Sequence, residues 1–402
     1  MRSVPGVGAF QSSNQTAEMP ESNPSSVAIA RAGLIALAVA MGIGRFAFTP
    51  VLPMMQVDHS LSVTAAAWLA SANYFGYLVG AVAAMWLRVR AVTAIRVALI
   101  VIGVATLAMG ATSGYATWLV LRGVAGIASA WVLIHASAWS LERLASAARP
   151  FLNGVVFGGV GAGIAAAGAI CMLLMEADVR SAEAWIILGV LSLALTAAVW
   201  RTFAPSPVPA QESVQRSGRF ALRRDRESLR MVACYGVFGF GYIIPATFIP
   251  AMARQAIPDP LVFGWSWPIF GAAALVSTLV ASVLLQAFDN RRLWIGSQLL
   301  MAVGVALPVV WPGIAGIMLA GLLVGGTFMV TTMVGIREAR EIGGPNATGL
   351  IAAMTSAFAA GQIVGPISAG YLGSNGNFSV ALLIASFLLV ASAYALRRPA
   401  QS

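Results

Sequence analysis

The sequence predicts an all-α membrane protein of twelve transmembrane helices arranged as two pseudo-symmetric six-helix bundles. Three observations predict it: a composition almost without charge, twelve apolar runs of bilayer-spanning length, and an internal repeat relating the first six runs to the last six.

Of 402 residues, 59% are hydrophobic and 9% charged, against about 25% charged in soluble domains. A water-facing surface cannot be built from so few charges, so lipid must cover most of this one. The formal charge is +10, and every basic residue is Arg. These arginines are scattered through short gaps between apolar runs rather than gathered on a soluble face, which excludes nucleic-acid binding. Cys171 and Cys234 lie inside apolar runs and read as small buried hydrophobes; neither a disulfide framework nor a metal spacing is present. Without Lys there is no G-x-x-x-x-G-K-[ST] phosphate loop, so this chain alone does not pump with ATP. No cofactor is expected.

The elements follow in order. Residues 1–27 are polar and rich in Ser, Asn and Pro, with no signal-peptide core; they are expected to form a disordered cytoplasmic tail. Apolar runs then predict spans at 28–56, 62–87, 92–113, 115–142, 150–176 and 182–203, the N-terminal bundle (28–203). Residues 204–228 form a cytoplasmic linker, opening with Pro205-Ser206-Pro207-Val208-Pro209 and closing with Arg223-Arg224-Asp225-Arg226. Pro-rich charged segments are solvated, and the Arg cluster suits anionic lipid headgroups. Spans at 229–254, 260–288, 291–312, 313–338, 345–373 and 377–397 make the C-terminal bundle (229–397), followed by a short cytoplasmic tail, 398–402. Runs beyond 25 residues imply tilt or bending. The weakest break is Trp311-Pro312-Gly313.

The arginines orient these spans. With the N-terminus inside, only Arg180 and Arg254 fall on outer connections. Arg88, Arg90, Arg96, Arg143, Arg149, the run from Arg201 to Arg230, Arg291, Arg292, Arg337, Arg340, Arg397 and Arg398 fall inside, with Arg2 and Arg31 near the start. That bias obeys the positive-inside rule. It predicts a bacterial inner-membrane protein with both termini cytoplasmic.

The halves repeat one another. Gly42-Ile43-Gly44 matches Gly239-Phe240-Gly241, Pro53 matches Pro250, Met55 matches Met252 and Trp68 matches Trp265, all at one offset. Pro150 and Gly154 match Pro345 and Gly349 at nearly the same offset. A constant offset over several elements argues for duplication. Two halves of the same orientation make a parallel repeat about the membrane normal. The pairs Gly76/Gly80, Gly154/Gly158, Gly159/Gly163, Gly321/Gly325 and Gly361/Gly365 are small-xxx-small contacts. Those in spans five and eleven suit contacts that rock one half on the other. Gly42, Gly44, Pro50 and Pro53 predict bends in span one.

The fourth span reads Leu121-Arg122-Gly123-Val124-Ala125-Gly126-Ile127-Ala128-Ser129-Ala130. It resembles the R-x-x-x-G signature of the fourth helix in the major facilitator superfamily. The first span, Gly42-Ile43-Gly44-Arg45-Phe46-Ala47-Phe48-Thr49-Pro50-Val51-Leu52-Pro53-Met54-Met55, resembles the opening of that superfamily's YbfB/YjiJ-like branch. The resemblance implies the major facilitator fold and a solute transporter. The loop Trp86-Leu87-Arg88-Val89-Arg90 departs from the superfamily's acidic-basic signature, whereas Asp289-Asn290-Arg291-Arg292 keeps the acid. Span five lacks the Gly-Pro pair of export-type members, and Gly365-Pro366 lies in span eleven instead, so motif does not set direction.

Charges inside hydrocarbon cost at least ~2.5 kcal/mol on insertion scales and usually face a cavity or a partner. Arg45 and Arg122 are such residues, and no Asp or Glu lies deep in any span. Arg45 shares a helical face with Thr49 and Gln56. One reading makes it a cavity-facing cation for an anionic substrate group; the other makes it a pin for backbone carbonyls near Gly42 or Pro50. Arg122 shares its face with Gly126, Ser129, Ser137 and Ser140. The resemblance implies gating or proton transfer for it; the alternative is an interhelical hydrogen-bond network. His135, with Glu142 seven residues on, is a candidate for proton coupling; the alternative is an ordinary hydrogen-bonded histidine. Asn73, Gly76, Tyr77 and Gly80 share a face of span two, Tyr235 and Tyr242 lie seven apart in span seven, and Gln362 lies in mid-span eleven. Asn73, Tyr77, Tyr242 and Gln362 join Arg45 and Thr49 as candidate substrate contacts.

These residues predict a secondary transporter working by alternating access as a monomer. Its partners are a small, anionic substrate, membrane lipids and, through His135, protons. A non-transporting sensor or scaffold on the same fold is the alternative. A lipid-modifying enzyme would need polar side chains converging near one interface; in the first half only His59, Glu142 and Glu183 offer themselves, on different sides.

Overall fold

In lipid each backbone N–H and C=O must find its partner within its own segment, and the apolar runs accordingly become long helices. The computed structural model describes residues 25–87, 89–145, 150–203, 225–284, 288–343, 347–373 and 377–397. The tail before residue 25, linker residues 204–224, and 398–402 lie outside the described residues, as do Arg88, Arg149 and Pro345.

The first span consists of α1 (Ser26–Leu37), a π-helical stretch (Ala38–Ile43) and α2 (Phe48–Asp58). The first half continues with α3 (Val63–Trp86), α4 (Ala91–Ala111), α5 (Tyr115–Ala145), α6 (Pro150–Glu176) and α7 (Ser181–Val199). The second half comprises α8 (Arg226–Ala256), α9 (Pro260–Phe263) with α10 (Ser266–Leu284), α11 (Asn290–Val310), α12 (Ile314–Gly343), α13 (Ala347–Leu372) and α14 (Ser379–Ala395). Among the described residues, ten segments are long and apolar enough to cross a membrane; α3 and the shorter α14 pack among them and complete the twelve. Side chains cap the helix starts, with Ser62, Asp225 and Asp289 accepting from the backbone N–H three residues on. The Trp311-Pro312-Gly313 break is a turn in which Gly313 has φ +110°, a region closed to most side chains.

The repeat is visible in the packing. Gly42 presses span one onto Gly163 of α6, where an added Cβ would lie 2.4 Å from backbone. Its repeat mate Gly239 presses α8 onto Phe358 of α13 in the same way, also at 2.4 Å. The halves themselves meet along α6 and α10, from Gly154 against Ser282 to Gly168 against Pro268. At the middle of that seam a Cβ on Gly161 would sit 2.3 Å from the Leu275 nitrogen. Backbone cannot yield there as a flexible side chain would. Gly161→Val should therefore cost about 3 kcal/mol or more, read as a large fall in melting temperature or in monodisperse yield; a wild-type melting curve would contradict the packing.

At the start of α8 and the end of α14, a charged network ties the second half together. Buried Arg291 donates to Glu338 at 2.9 Å, to the Leu396 carbonyl at 3.2 Å, and also pairs with Glu227, which holds Arg230. The first half has a counterpart: Arg96 donates to the Trp200 carbonyl at 2.8 Å, near the end of its own last span. Breaking a buried pair strands a charge, at about 3–5 kcal/mol. Glu338→Gln should lose roughly that much thermal stability, and Glu142→Gln, at an exposed position, nearly none.

Candidate solute site

Span one is broken where Arg45 sits. The π-helical hydrogen bonds Gly44 N–H to Val39 and Phe46 N–H to Met41 displace the normal register. Pro50 and Pro53 then have no N–H to donate. The carbonyls of Gly44 and Arg45 are left outside the helical ladder, and buried carbonyls need partners. Arg122 supplies them: its Nη1 donates to Gly44 O at 3.3 Å and its Nη2 to Arg45 O at 3.0 Å. Asn73 donates to Gly44 O at 3.3 Å and to Arg122 O at 2.9 Å. Ser129 adds a bond to Ala40 O at 2.8 Å. Gly76 and Gly126 let α3 and α5 approach closely enough for this.

The Arg45 side chain turns the other way, toward the second half. It is 2% exposed. Its Nη2 donates to Gln362 Oε1 at 2.5 Å, and Gln362 Nε2 donates to the Tyr242 hydroxyl. The guanidinium lies 4.1 Å from the Tyr77 ring centre, 5.1 Å from Tyr74 and 5.3 Å from Phe46. Beyond Tyr242 stand Phe328, parallel at 5.5 Å, and Phe358, near-parallel at 5.6 Å. Among the described residues no carboxylate pairs with Arg45 or Arg122, and Arg45 Nε is buried with no partner. Cation–π contacts and a neutral amide solvate a charge partially, at about 0.5–2 kcal/mol per ring. They leave its field unneutralised, and an ionised acceptor bonds a guanidinium more strongly than a neutral one does.

Of the residues singled out from sequence, Arg45, Tyr77, Tyr242 and Gln362 thus form one cluster. Thr49 and Asn73 belong to its frame instead. The Thr49 hydroxyl donates to Ala246 O at 2.9 Å, so it too faces the second half, but meets α8 backbone rather than the Arg45 cluster. Asn73, Gly76 and Gly80 face α5 rather than the second half. His135 lies on α5 with its ring against Trp131 at 6.0 Å and Nε2 buried without a partner; Glu142 is exposed, and no contact joins either to the Arg45 cluster among the described residues. Sequence reasoning missed Phe46, Tyr74, Phe328 and Phe358. The seven-residue spacing of Tyr235 and Tyr242 put both on one face of span seven, but did not say which rings would meet them.

Among the described residues, hydrogen bonds joining the halves gather at and beyond Arg45, toward the end where α2 finishes and α3 begins. Besides Arg45–Gln362 and Thr49–Ala246, Ser71 reaches Ile363 O at 2.9 Å, Thr64 reaches Gly370 O at 3.0 Å, and Arg254 reaches Pro53 O at 3.1 Å. At the other end α1 packs on α5, α6 and α7 of its own half.

A family described as "Uncharacterised MFS-type transporter YbfB" matches residues 37–397. The chain belongs to that family of major-facilitator transporters. Its solved structural neighbours include a crystal structure of a point mutant of the nucleoside transporter NupG, at 18% identity and a TM-score of 0.72, covering 92% of this chain and 98% of that one. At that identity the likeness shows the fold alone. No curated protein matches. The chain is a multi-pass membrane protein of the YbfB-type family, and its small-molecule substrate follows from the family's character as transporters.

Proposed function

We propose that this YbfB-type transporter carries a small organic anion across the cytoplasmic membrane by alternating access, with Arg45 binding the solute's negative group. The observation that carries the reading is a guanidinium 2% exposed at the boundary of the halves, with no carboxylate beside it among the described residues. Two parallel N–H donors suit a carboxylate. Gln362 and Tyr242 hold the cation from the second half, so a solute that takes Arg45 competes with the bond that joins the halves. Tyr77 contributes the apolar wall. Thr49, Asn73 and Arg122 act as positioning groups, and Arg122 also couples α5 to the broken backbone under Arg45. With both termini cytoplasmic, as the arginine distribution supports, the end that gathers the hydrogen bonds between the halves faces outward. The single chain is the working unit.

A ligand panel tests the site. Small carboxylates, their neutral amides, and nucleosides, the class named for the structural neighbour, are compared by thermal shift on wild type and Arg45→Ala. The reading expects carboxylates to stabilise wild type alone. Equal stabilisation of both proteins by the carboxylates would remove Arg45 from the site.

Proton coupling through His135, with Glu142 nearby on the same helix, is the accompanying proposal, supported by the buried ring nitrogen that lacks a partner. Uptake driven by an inward proton gradient should fall at least severalfold in His135→Gln. Uptake indifferent to the gradient in wild type would end this role.

A further inference from the structure

A cleft of about 320 Å³ opens between α1 and α7, at the end of the bundle where α1 begins and α7 ends. Arg31 and Thr202 line it together with Ala32, Ile35, Ala198 and Val199. Arg31 and Arg201, the latter next to Thr202 in sequence, are exposed, and neither has an acidic partner among the described residues. Arg96 stacks on Trp200 beside them, with its guanidinium 4.5 Å from the ring centre. The cleft thus has a cationic rim and an apolar floor.

The second half shows how such a corner looks when it is neutralised internally. There Arg230, near the start of that half's first span, donates to the Arg397 carbonyl at the end of its last span. Glu227 pairs with Arg230 and with Arg291. The first half sets Arg31 near the start of its first span and the end of α7 beside it, and the residue one turn before Arg31 is Ala28, which carries no charge. At the repeat offset Arg230 falls on Gly33 rather than on Arg31, so the likeness is one of corner and not of aligned residues: each corner holds an arginine, and among the described residues the second also holds an acid.

We propose that the headgroup of an acidic phospholipid of the inner leaflet occupies this cleft, its phosphate against Arg31 and Arg201 and the start of an acyl chain along Ile35 and Val199. The composition of the cleft favours a lipid over a soluble anion, since a free phosphate has no use for the apolar floor. The level fits too: with the termini cytoplasmic, Arg31, Arg201 and Trp200 lie where basic and aromatic side chains meet the headgroups. The lipid supplies the charge that Glu227 supplies in the other half, and so braces span one against span six on the side away from the solute site.

The test uses the full chain in detergent, with native mass spectrometry and melting curves. Phosphatidylglycerol, phosphatidylcholine and inorganic phosphate are added separately to wild type, Arg31→Ala, Arg31→Lys and Arg180→Ala. Phosphatidylglycerol should be retained by wild type and raise its melting temperature, and phosphatidylcholine should not. Arg31→Ala should weaken that retention about fivefold, Arg31→Lys should keep most of it, and Arg180→Ala, at the opposite end, should match wild type. Equal retention of the two lipids by wild type overturns the proposal even if Arg31→Ala fails to fold. Unchanged retention in Arg31→Ala also overturns it. So does full stabilisation by inorganic phosphate alone, which would make this a soluble-anion site.

Discussion

Arg45→Ala should abolish saturable exchange of the transported anion while leaving a folded protein. Hydrogen bonds to ionised groups are worth about 1.5–3 kcal/mol each, and a guanidinium offers a carboxylate two. Losing both costs at least about 3 kcal/mol, which is a hundredfold or more in rate at sub-saturating solute. Arg45→Lys keeps the charge but not the fork, and should recover less than a tenth of the lost exchange. The stability effect runs the opposite way to the functional one. Arg45 is a buried cation with no ionised partner among the described residues, so truncation removes a desolvation cost, and the melting temperature of Arg45→Ala should equal or exceed that of wild type. Gln362→Leu, which removes the amide that bridges Arg45 and Tyr242, should reduce exchange about tenfold.

Arg122→Ala should instead destabilise the protein, by about 3 kcal/mol. Arg122 holds two carbonyls that the break in span one leaves outside the helix, and a stranded buried acceptor costs about 1–3 kcal/mol. Asn73 still serves Gly44 after the change, but nothing else among the described residues serves Arg45 O. Asn73→Ala should therefore cost less, about 1–2 kcal/mol. Melting curves of Arg122→Ala, Asn73→Ala and the double variant check this. Because both residues grip the same backbone, the double variant should depart from additivity. An Arg122→Ala protein as stable as wild type would mean the carbonyls find other partners and the frame is not needed.

The contrast between these arginines shows how far the sequence reaches. Both stood out because charge in an apolar run is expensive, and Gln362 stood out because an amide there needs a partner. The duplicated Gly42/Gly239 and Pro53/Pro250 positions were legible because repeated spacing survives in one dimension. Span one was legible as bent, from its glycines and prolines. Its form, a π-helical stretch followed by turns, was not, and that form decides which carbonyls Arg122 meets. The spacing of Arg45, Thr49 and Gln56 gave a shared side but not its partners: Thr49 meets Ala246 and Arg45 meets Gln362. Partners across the halves depend on how α3, α8 and α13 pack on one another, and residue spacing within one helix carries none of that. The rings of Phe328 and Phe358 escaped notice for the same reason: they join Tyr242 from two other spans.

Counterflow in proteoliposomes tests the central claim most directly. Wild-type protein and Arg45→Ala, reconstituted at equal density, are preloaded with the carboxylate that most stabilises wild type, and labelled carboxylate is added outside. The account predicts saturable accumulation by wild type and background levels for an Arg45→Ala protein that melts no earlier than wild type. Wild-type exchange rates in Arg45→Ala, or a wild-type protein that binds the carboxylate without exchanging it, would contradict it: the first displaces the solute from the cation, and the second leaves a scaffold in place of a transporter.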